Sequence, residues 1–375
     1  MDTSDFLIER YYAKYEFSTK FMLSSSDAES WTIDELFSLG ESDLLTDELS
    51  KLHLGYTESQ GDPQLRKMVS NLYSGVYSEN ILMYTGAEEG IFSFVNAVLD
   101  PGDHIIVMFP AYQSLYQIAK DRGVDVSYWD CIEDDGWRPS LENLRRLVKN
   151  NTRAIIINTP HNPTGFLFSH DEIHEIVEIC RNEDIYLFSD EVYRYSEYDT
   201  NDRLLSAVEI YDKAVTLGVM SKPMGLPGLR VGWIATKDAE VYQKMQHFKD
   251  YVTICGSAPS EFLAKVAMSH FDVIMKRNRD LIQSNLQILR NFMDSNKDVF
   301  QWVEPKAGNI AFIRLLLDMD VDKFCEQLRE QEDVLLLPAS TYEYGQNHFR
   351  IGFGRKDFED GLARLLSFIL SIKVN

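Results

Sequence analysis

The chain is short of positive charge. Its 37 lysines and arginines stand against 59 aspartates and glutamates, a net charge of −22. A surface of that sign repels phosphate backbones and anionic lipid headgroups, so nucleic acid and charged membrane surfaces are not its partners. It lacks any run of about eighteen apolar residues, the length a membrane-spanning helix needs. The start, Met1-Asp2-Thr3-Ser4-Asp5, is acidic and leads into no apolar stretch, which is unlike a secretion signal. Cysteines number only four, Cys131, Cys180, Cys255 and Cys325, and none is spaced for a metal site. They read as reduced thiols of a cytoplasmic protein, with no metal expected. No fixed-period repeat or low-complexity segment interrupts the chain.

What the chain does have is room and core. Its 375 residues are 45% hydrophobic and 12% aromatic, enough for one large domain with a smaller companion. Buried-strand patterns at His104–Met108, Val124–Tyr128, Ala154–Ile157, Ile185–Phe188 and Ala214–Leu217 alternate with helical patterns at Gln113–Arg122, Leu141–Val148 and Asp171–Asn182. That alternation predicts a mostly parallel α/β sheet flanked by helices, with functional sites at the carboxyl ends of its strands. Thr32 and Glu35 form a capping-box pattern, and Asp62-Pro63 reads as a helix start. After a long helical stretch, about Ser260–Ser295, the strands Ile310–Leu316 and Val334–Pro338 bracket the helix Val321–Gln331 and predict a smaller α+β unit.

Four stretches at strand ends carry residue types suited to chemistry. Ser221-Lys222 follows one buried strand, and a glycine- and proline-rich turn leads to Arg230, eight residues on. Desolvation there lowers a lysine's pKa toward the neutral amine that carbonyl chemistry needs. An arginine can grip phosphate or carboxylate with two parallel donors. Thr85-Gly86-Ala87-Glu88 precedes a helix, so its backbone N–H groups can face a phosphate. Neither Ala87 nor Glu88 adds a hydroxyl, and Glu88 repels a phosphate unless its side chain turns away. Asn158-Thr159-Pro160-His161-Asn162-Pro163-Thr164-Gly165 is a turn after a buried strand, and Ser189-Asp190-Glu191-Val192-Tyr193 places a carboxylate at the end of another.

Taken together, Ser221–Trp233, Asn158–Gly165, Asp190–Tyr193, Gly55–Arg66 and His348–Gly354 resemble the motifs of class I/II aminotransferases, the fold type I enzymes that use pyridoxal 5'-phosphate (PLP). The likeness runs from about Gly55 to Gly354 and departs at Val219, where the family usually has a serine. It implies an aspartate aminotransferase-like fold: an N-terminal arm (1–44) that joins the small domain, a large PLP-binding domain (45–265) and a small C-terminal domain (266–375).

The resemblance also implies roles. Lys222 carries the cofactor as a Schiff base and acts as the base, Asp190 keeps the pyridine nitrogen protonated, and Tyr193 and Asn162 reach the phenolic oxygen. Tyr112 is a flat platform for the ring. Gly86, Ala87, Glu88, Ser221 and Arg230 surround the phosphate, and Tyr56 reaches the phosphate of a partner subunit, so the resemblance implies a homodimer with shared sites. Arg350, Asn162 and Ser25 meet the substrate. Asp27 and Glu29, in the serine-rich arm, offer negative charge to a cationic side chain such as a guanidinium. That arm is closer to the subset of the family that includes capreomycidine synthase. The expected reaction moves the amino group of an L-amino acid to a 2-oxo acid. Elimination, replacement or cyclisation on the same cofactor is the alternative, and a non-catalytic PLP-fold binding protein is the reading from another class.

Overall fold

Two sheets organise the chain in the computed structural model, which describes residues 3–374; the acidic start read at Met1 and Asp2 lies outside them. The helices α1 (Leu7–Tyr15), α2 (Ile33–Phe37), α3 (Ser42–Ser50) and α4 (Pro63–Ser70) come first. Then follow β1 (Ile81–Tyr84), α5 (Ala87–Val98), β2 (His104–Phe109), α6 (Ser114–Asp121), β3 (Asp125–Ile132), β4 (Arg138–Pro139), α7 (Leu141–Leu147) and β5 (Thr152–Asn158). The first sheet is completed through α8 (His170–Asn182), β6 (Tyr186–Asp190), α9 (Ala207–Ile210), β7 (Ala214–Val219) and β8 (Gly232–Ala235). The remainder runs α10 (Ala239–Lys249), α11 (Ala258–Ser269), α12 (Phe271–Ser295), β9 (Phe300–Trp302), β10 (Ile310–Leu315), α13 (Val321–Glu332), β11 (Leu337–Pro338), β12 (His348–Gly352) and α14 (Phe358–Val374).

The eight-stranded sheet has the order β1-β8-β7-β6-β5-β2-β3-β4, and the pairs β2–β3, β2–β5, β5–β6 and β6–β7 are parallel. Its central strands are apolar on both faces because helices cover both. In β5, Ile156 packs with Phe94 and Val95 of α5, while Ile155 and Ile157 point the other way, into a core with Ile173, Ile176 and Val177 of α8. Each such buried side chain contributes roughly 1.5–3 kcal/mol before the entropy of ordering is counted.

The second sheet is antiparallel, in the order β11-β12-β10-β9. The N-terminal arm folds with it: Phe21 bridges Val334, and the Gly352 amide donates to the Leu23 carbonyl at 2.6 Å. Phe21, Leu23 and Ala28 share one core with Phe349 and Ile351. This pairing explains a difference from the sequence reading of Val334–Pro338. Only Leu337–Pro338 belongs to the sheet, because the Leu335 amide donates instead to the Phe21 carbonyl of the arm. The long helical stretch is likewise two helices, broken at His270, whose backbone is non-helical (φ −117°, ψ 24°). The α2 capping box and the α4 start at Asp62-Pro63 form as read.

Candidate active site

The carboxyl ends of β5, β6 and β7 lie side by side: Asn158 pairs in register with Asp190, and Asp190 with Leu217. Asn158 then stitches the strand end to the turn that follows. Its amide donates to the Asp190 carbonyl at 3.0 Å, and its carbonyl oxygen accepts from the Asn162 backbone at 2.6 Å. The turn closes on itself through His161 Nδ1 and Thr164 Oγ1, 2.7 Å apart. Asn162 is thereby held with its side-chain oxygen accepting from Tyr342 OH (2.9 Å) and Arg350 Nη1 (3.1 Å). With that oxygen in use, the side-chain NH2 is the group Asn162 has to offer a ligand.

Asn158, Asn162 and Asp190 line a cavity of about 430 Å³ that also receives Tyr193, Ser221, Lys222, Arg230 and Arg350. Asp190 is buried, and burial holds its carboxyl up at about 7, against the opposing pull of the Val192 amide and of Lys222. Lys222 follows β7, and its Nζ donates to Ser26 Oγ at 2.9 Å. Desolvation draws its pKa down toward the free amine, with Asp27 working the other way. Among the described residues, the buried Tyr193 hydroxyl and Arg350 Nε have no hydrogen-bond partner. Polar groups so placed are ordinarily satisfied, so both point to a ligand.

On the opposite wall, Gly86 caps α5 with φ 85° and ψ 178°, a conformation essentially restricted to glycine. The Arg230 guanidinium presses on it, and Arg230 itself is left-handed (φ 54°). Ala87 and Glu88 open the helix and line the cavity with Tyr112, while Ser25 lines it near Arg350, whose Nη2 donates to the adjacent Ser24 carbonyl. The conflict posed by Glu88 is relieved in two ways. Ser114 Oγ donates to its carboxylate at 2.9 Å, and burial, with Glu9 adding to it, raises its pKa to about 7 against the pull of Ser114 and Arg230. Near neutrality the residue is therefore in good part uncharged.

The donor set fits PLP. A helix start with Arg230 and Ser221 suits a phosphate, Asp190 a pyridinium nitrogen, and the unpartnered Tyr193 hydroxyl with the Asn162 amide a phenolic oxygen. Of the residues read from sequence, Tyr56 stands apart, 91% exposed and outside this cavity, and Gly86 does not itself line the cavity but packs against Arg230, which does. Asp27 lines the wall, but is ion-paired with Arg355 at 2.8 Å, and Glu29 is turned out to accept from the Lys356 amide at 3.0 Å. The sequence reading assigned no role to α1. Ile8, Glu9, Tyr12 and Glu16 all face the cavity, and the 9-12-16 spacing of one helical face is the signal that marks them.

Comparison with known proteins agrees with this geometry. The family model for aminotransferase class I and II matches residues 45–365. Capreomycidine synthase of Streptomyces vinaceus is 29% identical over 364 residues, covering 96% of this chain and 91% of that protein. The aspartate aminotransferase of Thermotoga maritima is 27% identical over 327 residues, covering 84% of this chain and 82% of its own. The crystal structure of a PLP-dependent aminotransferase from Streptococcus suis superposes with a TM-score of 0.94 at 32% identity, with 99% of each chain covered.

Proposed function

Because the chain belongs to the class I and II aminotransferases and is a PLP-dependent transferase, we propose that this cavity is its active site and that Lys222, Asp190 and Arg350 carry the reaction. The observation that carries the reading is convergence. Residues from the ends of three adjacent strands, the start of α5 and a strand of the second sheet meet in one cavity, which supports the roles assigned to them.

Bound PLP would supply an electron sink that makes the substrate Cα–H bond acidic and would receive the amino group. The rest falls to the protein. Gly86, Ala87, Ser221 and Arg230 hold the phosphate end, and Tyr112 gives the ring a flat face. Asp190 holds a proton on the ring nitrogen, which a buried carboxylate does by raising its partner's pKa. Asn162 and Tyr193 orient the phenolic oxygen. Arg350 clamps the substrate α-carboxylate, with Ser25 at the edge of the same space. Lys222 Nζ, its pKa drawn down by desolvation, takes the Cα proton and releases it again from a flexible stem.

Residues 45–265 form the cofactor domain in this proposal, and 1–44 with 266–375 the smaller one. A homodimer with Tyr56 reaching the partner's phosphate is supported by an exposed apolar patch: Leu54 is 78%, Tyr56 91% and Tyr251 94% exposed, and Thr57 Oγ1 ties the two segments together by donating to the Gly256 carbonyl. Four unpaired cysteines support a cytoplasmic setting.

A single-turnover reaction of the PLP-loaded protein with a panel of L-amino acids tests the function. Release of the matching 2-oxo acid, with conversion of PLP to pyridoxamine phosphate, is the expected result. The likeness to capreomycidine synthase favours one other outcome. An amino acid consumed without 2-oxo acid, and with PLP recovered unchanged, would replace transamination by elimination or cyclisation.

A further inference from the structure

Arg350 is buried, and a guanidinium has five N–H donors. Four of them are already spent on the protein. Nη1 donates to Asn162 Oδ1 at 3.1 Å and to Tyr342 OH at 2.7 Å. Nη2 donates to Tyr12 OH at 2.7 Å and to the Ser24 carbonyl at 2.6 Å. Nε is without a partner among the described residues. A carboxylate bound by two parallel donors therefore cannot simply be added. It takes Nε, and it must also take a neighbouring Nη hydrogen from an acceptor that now holds it.

The Nη2 hydrogen beside Nε is the one that completes a two-pronged fork. Of the two acceptors on Nη2, Ser24 offers a backbone carbonyl and does not line the cavity, whereas Tyr12 does line it. Tyr12 is also chemically able to change roles. Its hydroxyl currently donates to the Ser24 carbonyl at 2.8 Å while accepting from Arg350. A phenol is both donor and acceptor, and its hydrogen rotates to suit its surroundings. Nothing here asks α1 to unfold or leave. Its start is tied to α6 by the Leu7 amide donating to Gln113 Oε1 (2.8 Å), and Tyr11 OH donates to the Leu336 carbonyl at 3.0 Å.

We propose that the Tyr12 hydroxyl stands where a substrate carboxylate oxygen binds on Arg350, and that on substrate entry it gives up Nη2 and donates its own hydrogen to that carboxylate. The inference rests on the reading of Arg350 as the carboxylate anchor. Tyr12 then has two effects. With no substrate bound, it caps a buried cation that would otherwise have two unused donors. With substrate bound, it adds a third hydrogen bond to the carboxylate, and ties the position of α1 to occupation of the site.

The test is Tyr12→Phe in the PLP-loaded enzyme, read with an amino acid and with its α-carboxamide. A hydrogen bond to a charged group is worth about tenfold or more in binding. The variant is expected to raise KM for the amino acid and for the 2-oxo acid by about tenfold, with kcat changed far less. The wild-type preference for carboxylate over carboxamide should shrink by the same factor. Cofactor content, read from PLP absorbance, should match wild type. A variant that loses activity equally on acid and amide would show that Tyr12 only shapes α1, and would overturn the proposal. A wild-type enzyme with no preference for the carboxylate would instead overturn the reading of Arg350 itself. Should Tyr12→Phe fold poorly, Tyr12→His, which keeps a ring donor, is read by the same ratio and is expected to retain part of the preference. Its complete loss with normal PLP content would also count against the proposal.

Discussion

The Arg230 guanidinium packs so closely on Gly86 that a Cβ at position 86 would lie 2.5 Å from Arg230 Nη2. Two constraints thus meet at one glycine, a backbone at φ 85° that side chains avoid and an arginine whose exposed, flexible end would have to shift. Gly86→Ala is expected to cost about 1–3 kcal/mol of stability from the backbone alone. It should also push Arg230 off the phosphate position and weaken PLP binding by more than tenfold, since a charge-assisted contact is lost. Thermal unfolding of the cofactor-free protein and PLP titration measure the two effects separately. Unchanged PLP affinity would separate Gly86 and Arg230 from the phosphate.

Lys222→Ala tests the base. General acid–base groups are worth about 10²–10⁴-fold, so single-turnover amino transfer should fall by at least that range. The noncovalent contacts of PLP are untouched by the substitution, so binding of PLP in equilibrium dialysis should persist at reduced affinity. Transfer at near wild-type rates would remove Lys222 from the mechanism.

Much of this site was legible because its chemistry sits at strand ends. Asn162, Asp190 and Lys222 each follow a buried apolar run, and a parallel sheet brings such ends together whatever their distance in sequence. The fate of Glu88 was not legible. Only the folded chain shows Ser114, 26 residues away, donating to its carboxylate. The α1 face was missed for a related reason. The meaning of Tyr12, in the N-terminal arm, depends on Arg350, 338 residues on. Likewise β11 is shorter than its apolar run because the N-terminal arm takes the pairing, a non-local competition that no local pattern records.

Asp190 makes the stability of the cofactor-free protein depend on pH. Its pKa stands at about 7, raised from 3.8 chiefly by burial. The folded chain therefore holds this proton more tightly than the unfolded chain does. The associated stability is complete below the ordinary carboxylate range and is lost as pH climbs to about 7. Wild-type apoprotein is expected to lose several degrees of Tm between pH 5 and 8, and Asp190→Asn should lose less. Equal slopes for the two proteins would mean that Asp190 does not carry the pH dependence.

Glu88 applies the same physics to the cofactor. Its carboxyl lines the cavity beside Arg230 and Tyr112, with Ser114 donating to it and a pKa of about 7. A bound phosphate adds negative charge nearby, so it favours the protonated acid and raises that pKa further. By linkage, PLP affinity must fall as pH rises through 7, tenfold for each unit by which the phosphate raises the Glu88 pKa. Glu88→Gln fixes the side chain in a neutral form of nearly the same shape. It should leave PLP affinity at pH 6 close to wild type, exceed wild type at pH 8.5, and flatten the profile between. PLP dissociation constants measured across that range by absorbance decide the matter. Parallel profiles would place the Glu88 charge too far from the phosphate to act on it, leaving Ser114 as its only partner of consequence.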